Sequence, residues 1–178
     1  NESNRVMGLA HQLKDFYRPS SGTPQPLNLH DAIDDMLMLK KNDFRKENIQ
    51  LIKEYSEHLP NIQVVEDQFK QVILNLLQNA NEACPNGGEL TIRTQALDSY
   101  VEVAIKDTGQ GIKQKHMAKI FEPFFTTKGE VKGTGLGLSV SYGIIKKHGG
   151  DLKVRSTEGG GSQFIITLPI KKNGLGLT

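Results

Sequence analysis

Asn75 and Asn79 stand four residues apart in Asn75-Leu-Leu-Gln-Asn79-Ala80. On a helix that spacing points both amides from one face, and Glu82 falls on the same stripe. Alone, two Asn and a Glu read as a solvated polar face. Yet Asn is a poor helix former because its side chain competes for the backbone, and Leu or Lys would cost less. An amide carbonyl can also take one position of an octahedral Mg²⁺ whose other ligands are phosphate oxygens and water. Asp107 follows an apolar alternation directly, and Thr108-Gly-Gln-Gly111 then turns the chain. An ordinary Asp-x-Gly turn explains this. The other reading is a purine reader: a carboxylate accepts from the adenine amino group and repels the guanine carbonyl. That mismatch leaves buried polar groups unpaired, at a cost on the order of a few kcal/mol. Gly109 and Gly111 would let backbone approach a flat base closely.

Gly133-Thr-Gly-Leu-Gly-Leu138 precedes an apolar helical pattern. It is not a Walker loop, because no Gly-Lys-Ser/Thr follows four variable residues. Nor is it a dinucleotide fingerprint, since position 138 is Leu where Gly is needed. What remains is a helix start with small residues and unpaired N–H groups, which attracts phosphate. The bland alternative is a flexible loop, which has little use for Leu136 and Leu138. Lys128 and Lys132 flank the loop and could add positive charge or sit solvated.

These residues need positioning elements. Phe69, Val72, Ile73, Leu76, Leu77, Ala80, Ala83 and Cys84 recur at helical spacing and predict a helix from Asp67 to Cys84. Glu89–Leu97 and Tyr100–Lys106 alternate as strands across the tight Asp98-Ser99 connection, which predicts a hairpin. A helix should start near Gly135 and end at His148, which is read as a residue favoured by the helix dipole. Asp151–Ser156 and Gln163–Leu168 form a final hairpin closed by Pro169. Upstream, 29–47 reads as a helix, and Gln50–Tyr55 and Gln63–Val65 as short strands around a turn at Pro60. Residues 1–17 carry a narrow seam of Val6, Leu9, Leu13 and Phe16, expected to self-associate weakly. A Pro- and Gly-containing linker follows over 18–27. The order α-β-α-β-β-α-β-β predicts an α/β (α+β) two-layer sandwich with a mixed or antiparallel sheet, with a leading helix.

The 178 residues suit about one domain, able to bury roughly 70% of its unfolded surface. A net charge of +2 gives no argument for nucleic acid or a membrane as partner. The single Cys84 cannot form an internal disulfide and suits a reducing compartment. No apolar run is long enough to span a bilayer. The start at Asn1 is expected to be that of an excised fragment, whose parent could carry a membrane anchor.

The Asn-rich helix, Asp107-x-Gly-x-Gly111, Phe121-Glu-Pro-Phe-Phe-Thr-Thr-Lys128 and Gly133-Thr-Gly-Leu-Gly-Leu138, in that order, resemble the GHKL ATPase superfamily over about residues 60–170. Within it they resemble the catalytic domain of sensor histidine kinases. The resemblance implies a Bergerat-type sandwich that binds ATP and Mg²⁺, with a lid between Phe125 and Gly133 anchored by Phe121, Phe124 and Phe125. It implies that Asn79 ligates the metal, Asp107 reads adenine, and the backbone of 135–138 holds phosphates. Asn75, Asn79 and Lys128 are the expected catalytic residues. Glu82, Asp107, Gly109, Gly111, Ile112, Phe121, Phe125, Thr126, Thr127, Lys128, Gly133, Thr134, Gly135, Leu136, Gly137 and Leu138 are expected, with Asn79, to surround the nucleotide.

Gyrases, ninety-kilodalton chaperones and mismatch-repair ATPases carry a water-activating Glu four residues before the metal-binding Asn. Here that position is Asn75, which cannot act as a base. This favours transfer to a histidine imidazole over hydrolysis by a GHKL ATPase, and the intact glycines argue against a non-catalytic scaffold of the same fold. Residues 1–17 resemble the end of the dimerisation and phosphoacceptor hairpin, 28–171 the catalytic domain, and 172–178 a tail. His11, His30, His58, His116 and His148 all lack the acceptor's sequence context, so the substrate histidine is expected on a separate hairpin. The implied partners are that dimerisation domain in a homodimeric parent, and a response regulator receiver. The implied location is cytoplasmic.

Overall fold

A computed structural model describes residues 22–127 and 133–171. The leading helix expected over 1–17, most of the linker and the 172–178 tail lie outside the described residues, as do Lys128 and Lys132.

The first helix, α1 (Leu29–Lys46), starts where Asn28 Oδ1 accepts from the N–H groups of His30 (3.0 Å) and Asp31 (3.3 Å). Such a cap is worth about 1 kcal/mol. Leu29, Ile33, Met36, Leu37 and Phe44 form its buried stripe. The helix ends at Lys46, and beyond its C-cap Glu47 stands Asn48, whose φ of 55° is a left-handed stop that Asn tolerates. The central helix, α2 (Glu66–Ala83), buries Phe69, Val72, Ile73, Leu76, Leu77 and Ala80, all members of the predicted stripe. Asp67 lies in its first turn beside Glu66, and the N-cap position is Val65. The last helix, α3 (Gly137–Lys147), begins two residues after the expected start.

The main sheet contains β2 (Ile49–Glu54), β4 (Gly88–Ala96), β5 (Tyr100–Asp107), β6 (Asp151–Ser156) and β7 (Ser162–Pro169) in the order β2-β4-β5-β7-β6. Only β2–β4 is parallel; the β4–β5, β5–β7 and β6–β7 pairs are antiparallel. Both predicted hairpins are therefore present, and the two-layer sandwich with a mixed, largely antiparallel sheet is the fold. Leu90, Ile92, Val101, Val103, Ile105, Phe164, Ile166 and Leu168 alternate onto one face of the sheet and share a core with all three helices.

Both short strands expected around Pro60 are present, in different sheets. The first belongs to the main sheet, while β3 (Ile62–Val64) pairs antiparallel with β1 (Gln25–Leu27). The end of the stretch read as a linker is therefore a strand. Three residues broken by Pro26 show no alternation to read, and only the tertiary partner β3 makes them a strand.

His148 is also different from its sequence reading. Its Nδ1 donates to Ile144 O (2.8 Å), which leaves Nε2 to accept the N–H of Val65 at 3.1 Å. An acceptor Nε2 means a neutral imidazole, so the residue holds the end of α3 to the start of α2 by hydrogen bonding, not by charge on the helix dipole.

Candidate functional site

At one end of the sheet, α2, the β5–α3 connection and the start of α3 enclose a cavity of about 440 Å³. Asn75, Asn79, Glu82, Asp107, Gly111, Ile112, Phe125, Thr126, Thr127, Gly133, Thr134, Gly135, Gly137 and Leu138 line it. The three sequence segments thus meet on one space.

Asp107 ends β5 between Leu90 of β4 and Ser162 of β7, and is only 3% exposed. Its Oδ1 accepts the N–H groups of Gly109 (2.9 Å) and Ser162 (3.2 Å). Burial pushes its carboxyl above the ordinary range, against the pull of those bonds. The following turn is clamped from two sides. Gln110 N–H donates to Ala83 O (2.9 Å) at the end of α2, and Gly159 N–H donates to Gln110 O (2.7 Å). Ile112 N–H donates to Ser156 Oγ at 2.8 Å.

The turn glycines serve this clamp. A Cβ at Gly109 would lie 2.3 Å from Ala83 O, and one at Gly111 would lie 1.9 Å from Thr157 O. Gly109 is not among the residues that line the cavity. The close approach is to the protein's own backbone.

Asn75 and Asn79 are half-buried on the cavity side of α2, not on a solvated face. Asn75 Nδ2 donates to Gly137 O and to Ser141 Oγ, each at 3.2 Å. Ser141 is fully buried, and its hydroxyl donates to Gly137 O (2.8 Å). Asn75 therefore fastens the first turn of α3 to α2. Glu82 Oε1 accepts from Gln78 Nε2 at 2.6 Å.

The aromatic segment is divided. Phe121 stacks at a tilt on Tyr142, with ring centres 5.1 Å apart, and Phe125 meets His116 edge-on at 5.5 Å. Both rings pack against the core, but only Phe125 reaches the cavity. Phe124 is 65% exposed. Its backbone, at φ 65°, donates N–H to Gly135 O (2.9 Å). Gly135 is itself left-handed (φ 68°), and a Cβ there would lie 2.4 Å from the Phe124 carbonyl carbon. The Leu136 side chain is buried, as that of the residue before α3.

Gln78, Ala83, Gln110, Ile120, Ser162 and Phe164 also line the cavity and were not anticipated. Gln78 lies on the same helix face as Asn75 and Glu82, which spacing could have revealed. Ser162 and Phe164 arrive only through the β5–β7 register.

A family model described as histidine kinase-, DNA gyrase B- and HSP90-like ATPase matches residues 64–172. Sensor kinase CckA of Brucella abortus (strain 2308) is 40% identical over 94% of this chain, which spans 19% of that relative. Sensor histidine kinase ZraS of Escherichia coli (strain K12) is 36% identical over 95% of this chain, which spans 36% of its length. Among solved structures, the catalytic domain of histidine kinase ThkA superposes with a TM-score of 0.74 at 35% identity, covering 82% of this chain and 96% of that one. ThkA in complex with the response regulator protein TrrA gives a TM-score of 0.76 at 29% identity, covering 94% of this chain and 48% of that one. The chain belongs to the histidine kinase-, DNA gyrase B- and HSP90-like ATPase family, and within it is a histidine kinase catalytic, ATP-binding domain.

Proposed function

We propose that this domain serves a two-component sensor histidine kinase. It would hold Mg-ATP and give the γ-phosphoryl group to a histidine on a separate dimerisation hairpin of a homodimeric parent, leaving ADP. The phosphoryl group would then pass to an Asp of a response regulator receiver. The names of the relatives and the ThkA–TrrA complex support this assignment.

The observation that carries the reading is the state of Asn75. It stands in the cavity wall where the water-activating branches place a carboxylate, and its Nδ2 is committed to Gly137 O and Ser141 Oγ. An amide so engaged holds the phosphate-side helix in place and takes no proton from water. Catalysis then rests on positioning and charge neutralisation. Asp107 offers its carboxylate to the adenine amino group, while Phe125, Ile112 and Leu138 supply apolar cover that excludes water. The backbone of 135–138 and Thr134 face the phosphates.

Asn79 and Glu82 are oxygen donors, which fits a hard cation such as Mg²⁺. Among the described residues no group of three or more His, Cys, Asp or Glu could hold a metal, so phosphate and water would complete its shell. When bound, the cation neutralises phosphate charge. We assign Asn79 as its protein ligand. Lys128, outside the described residues, is proposed from the resemblance alone.

No described helix is long and apolar enough to cross a membrane. A cytoplasmic location is proposed, consistent with free, buried Cys84.

The parent kinase, incubated with γ-labelled Mg-ATP, should acquire acid-labile, alkali-stable label that moves to a receiver domain. Asn79→Ala should abolish that label and lower Mg²⁺-dependent nucleotide affinity; unchanged labelling would refute the ligand role. Rapid ATP turnover by the isolated chain, without labelling, would replace the kinase reading with a hydrolytic one.

A further inference from the structure

A polar chain reaches Glu82 in the cavity wall from α1, and the roles above use no other member of it. It begins at Lys40, which lies on the buried stripe of α1 among Ile33, Met36, Leu37 and Phe44 and is 8% exposed. A lysine in such a place is costly unless its ammonium is paired and hydrogen-bonded. Lys40 Nζ donates to Asp43 Oδ2 one turn along and to Gln78 Oε1 on α2. Asp43 alone would satisfy the charge. The second bond is the one that joins α1 to the cavity wall.

That bond sets the Gln78 amide. An ammonium only donates, so the atom facing it must be the carbonyl oxygen. Gln78 Nε2 is thereby turned to Glu82 and donates to Oε1 at 2.6 Å. Gln78 and Glu82 both line the cavity. A carboxylate in the wall of a site that receives a triphosphate repels it when no cation intervenes. The same carboxylate becomes an asset when a divalent cation travels with the phosphates, because such cations prefer oxygen ligands.

We propose that Lys40 is a positioning residue for the metal-bound nucleotide: through Gln78 it holds the Glu82 carboxylate in place for the divalent cation that accompanies ATP. Lys40 touches neither the nucleotide nor the cation. The inference rests on the reading of this cavity as a Mg-nucleotide site.

The test is calorimetric titration of the 178-residue chain with ADP, once in excess Mg²⁺ and once in EDTA. The ratio of the two affinities is the readout. Lys40→Met keeps the apolar stem, one atom shorter than lysine, and removes its charge. It should lower the ratio by about tenfold, the usual effect of losing an outer partner of a metal ligand, while the affinity in EDTA stays at the wild-type value. Gln78→Met should lower the ratio at least as far, and the double variant should be no worse than Gln78→Met alone. If Lys40→Met does not fold, Gln78→Met carries the test, because it leaves the Lys40–Asp43 pair in place. A wild-type ratio in either folded single variant would overturn the proposal. So would an equal loss with and without metal, which marks packing alone. Equal wild-type affinities in Mg²⁺ and EDTA would overturn both this proposal and the magnesium reading. A wild-type chain that binds no ADP in either condition would overturn the nucleotide site itself.

Discussion

Asp107 meets two opposed demands. As the proposed base reader it needs a buried carboxyl, and burial raises its pKa even though two backbone N–H groups donate to it. For an acid, a folded-state pKa above the unfolded value means that the native state binds the proton more tightly. Stability is then lost as pH rises from the unfolded pKa through the folded one. Asp107→Asn keeps an acceptor for Gly109 and Ser162 and removes the buried charge. The unliganded variant should therefore melt higher than wild type at pH 7. The gain should fade below about pH 4, where the carboxyl is protonated in both states. ATP affinity should fall by about tenfold or more, since the adenine amino group loses a charged acceptor. Melting scans across pH and calorimetry check the two halves separately. A variant that melts lower at neutral pH would show that the hydrogen bonds, not the burial, dominate at this residue.

At the scale of elements, α3 is fastened to α2 at both ends. Asn75 binds the Gly137 carbonyl at its start, and His148 binds the Val65 N–H at its end. His148→Ala orphans that N–H and should cost about 1–3 kcal/mol, read as a lower urea midpoint with an unchanged slope. The glycines that open α3 are not equivalent. A Cβ on Gly137 would lie 3.7 Å from Asn75 Cγ, an ordinary contact. Gly137→Ala should therefore fold at least as well as wild type, gaining up to about 1 kcal/mol of helix propensity. It should bind nucleotide more weakly, because the methyl enters the phosphate side of the cavity. Gly135→Val is different: a left-handed φ and the Phe124 backbone leave no room. That variant should lose stability as well as binding, and a melting scan beside a titration distinguishes the two glycines.

For the whole molecule, the cavity is built from both layers of the sandwich and from turns that no single element controls. Ligand bound there reinforces α2, the β5 end and α3 together. ADP with Mg²⁺ at about one hundred times its dissociation constant should stabilise the domain by about 2.7 kcal/mol. At this size that raises the melting temperature by several degrees. GTP at equal concentration should give a much smaller shift. Equal shifts with both nucleotides would contradict base selection by Asp107.

The sequence by itself determined the three described helices, both antiparallel hairpins and the three segments around the cavity, because each is written in local periodicity or in spacing along one chain. Asn75, Asn79 and Glu82 share a face by helical geometry alone, and Asp107 is marked by the alternation that precedes it. Tertiary structure decided what spacing cannot carry. Strand β1 exists only through β3, and Ser162 reaches Asp107 only through the β5–β7 register. The function of Gly109 and Gly111 was legible as smallness but not as its cause, since Ala83 and Thr157 come from distant segments. His148 and Lys40 were hidden for the same reason. A buried polar side chain is defined by its partner, and both partners lie across the fold.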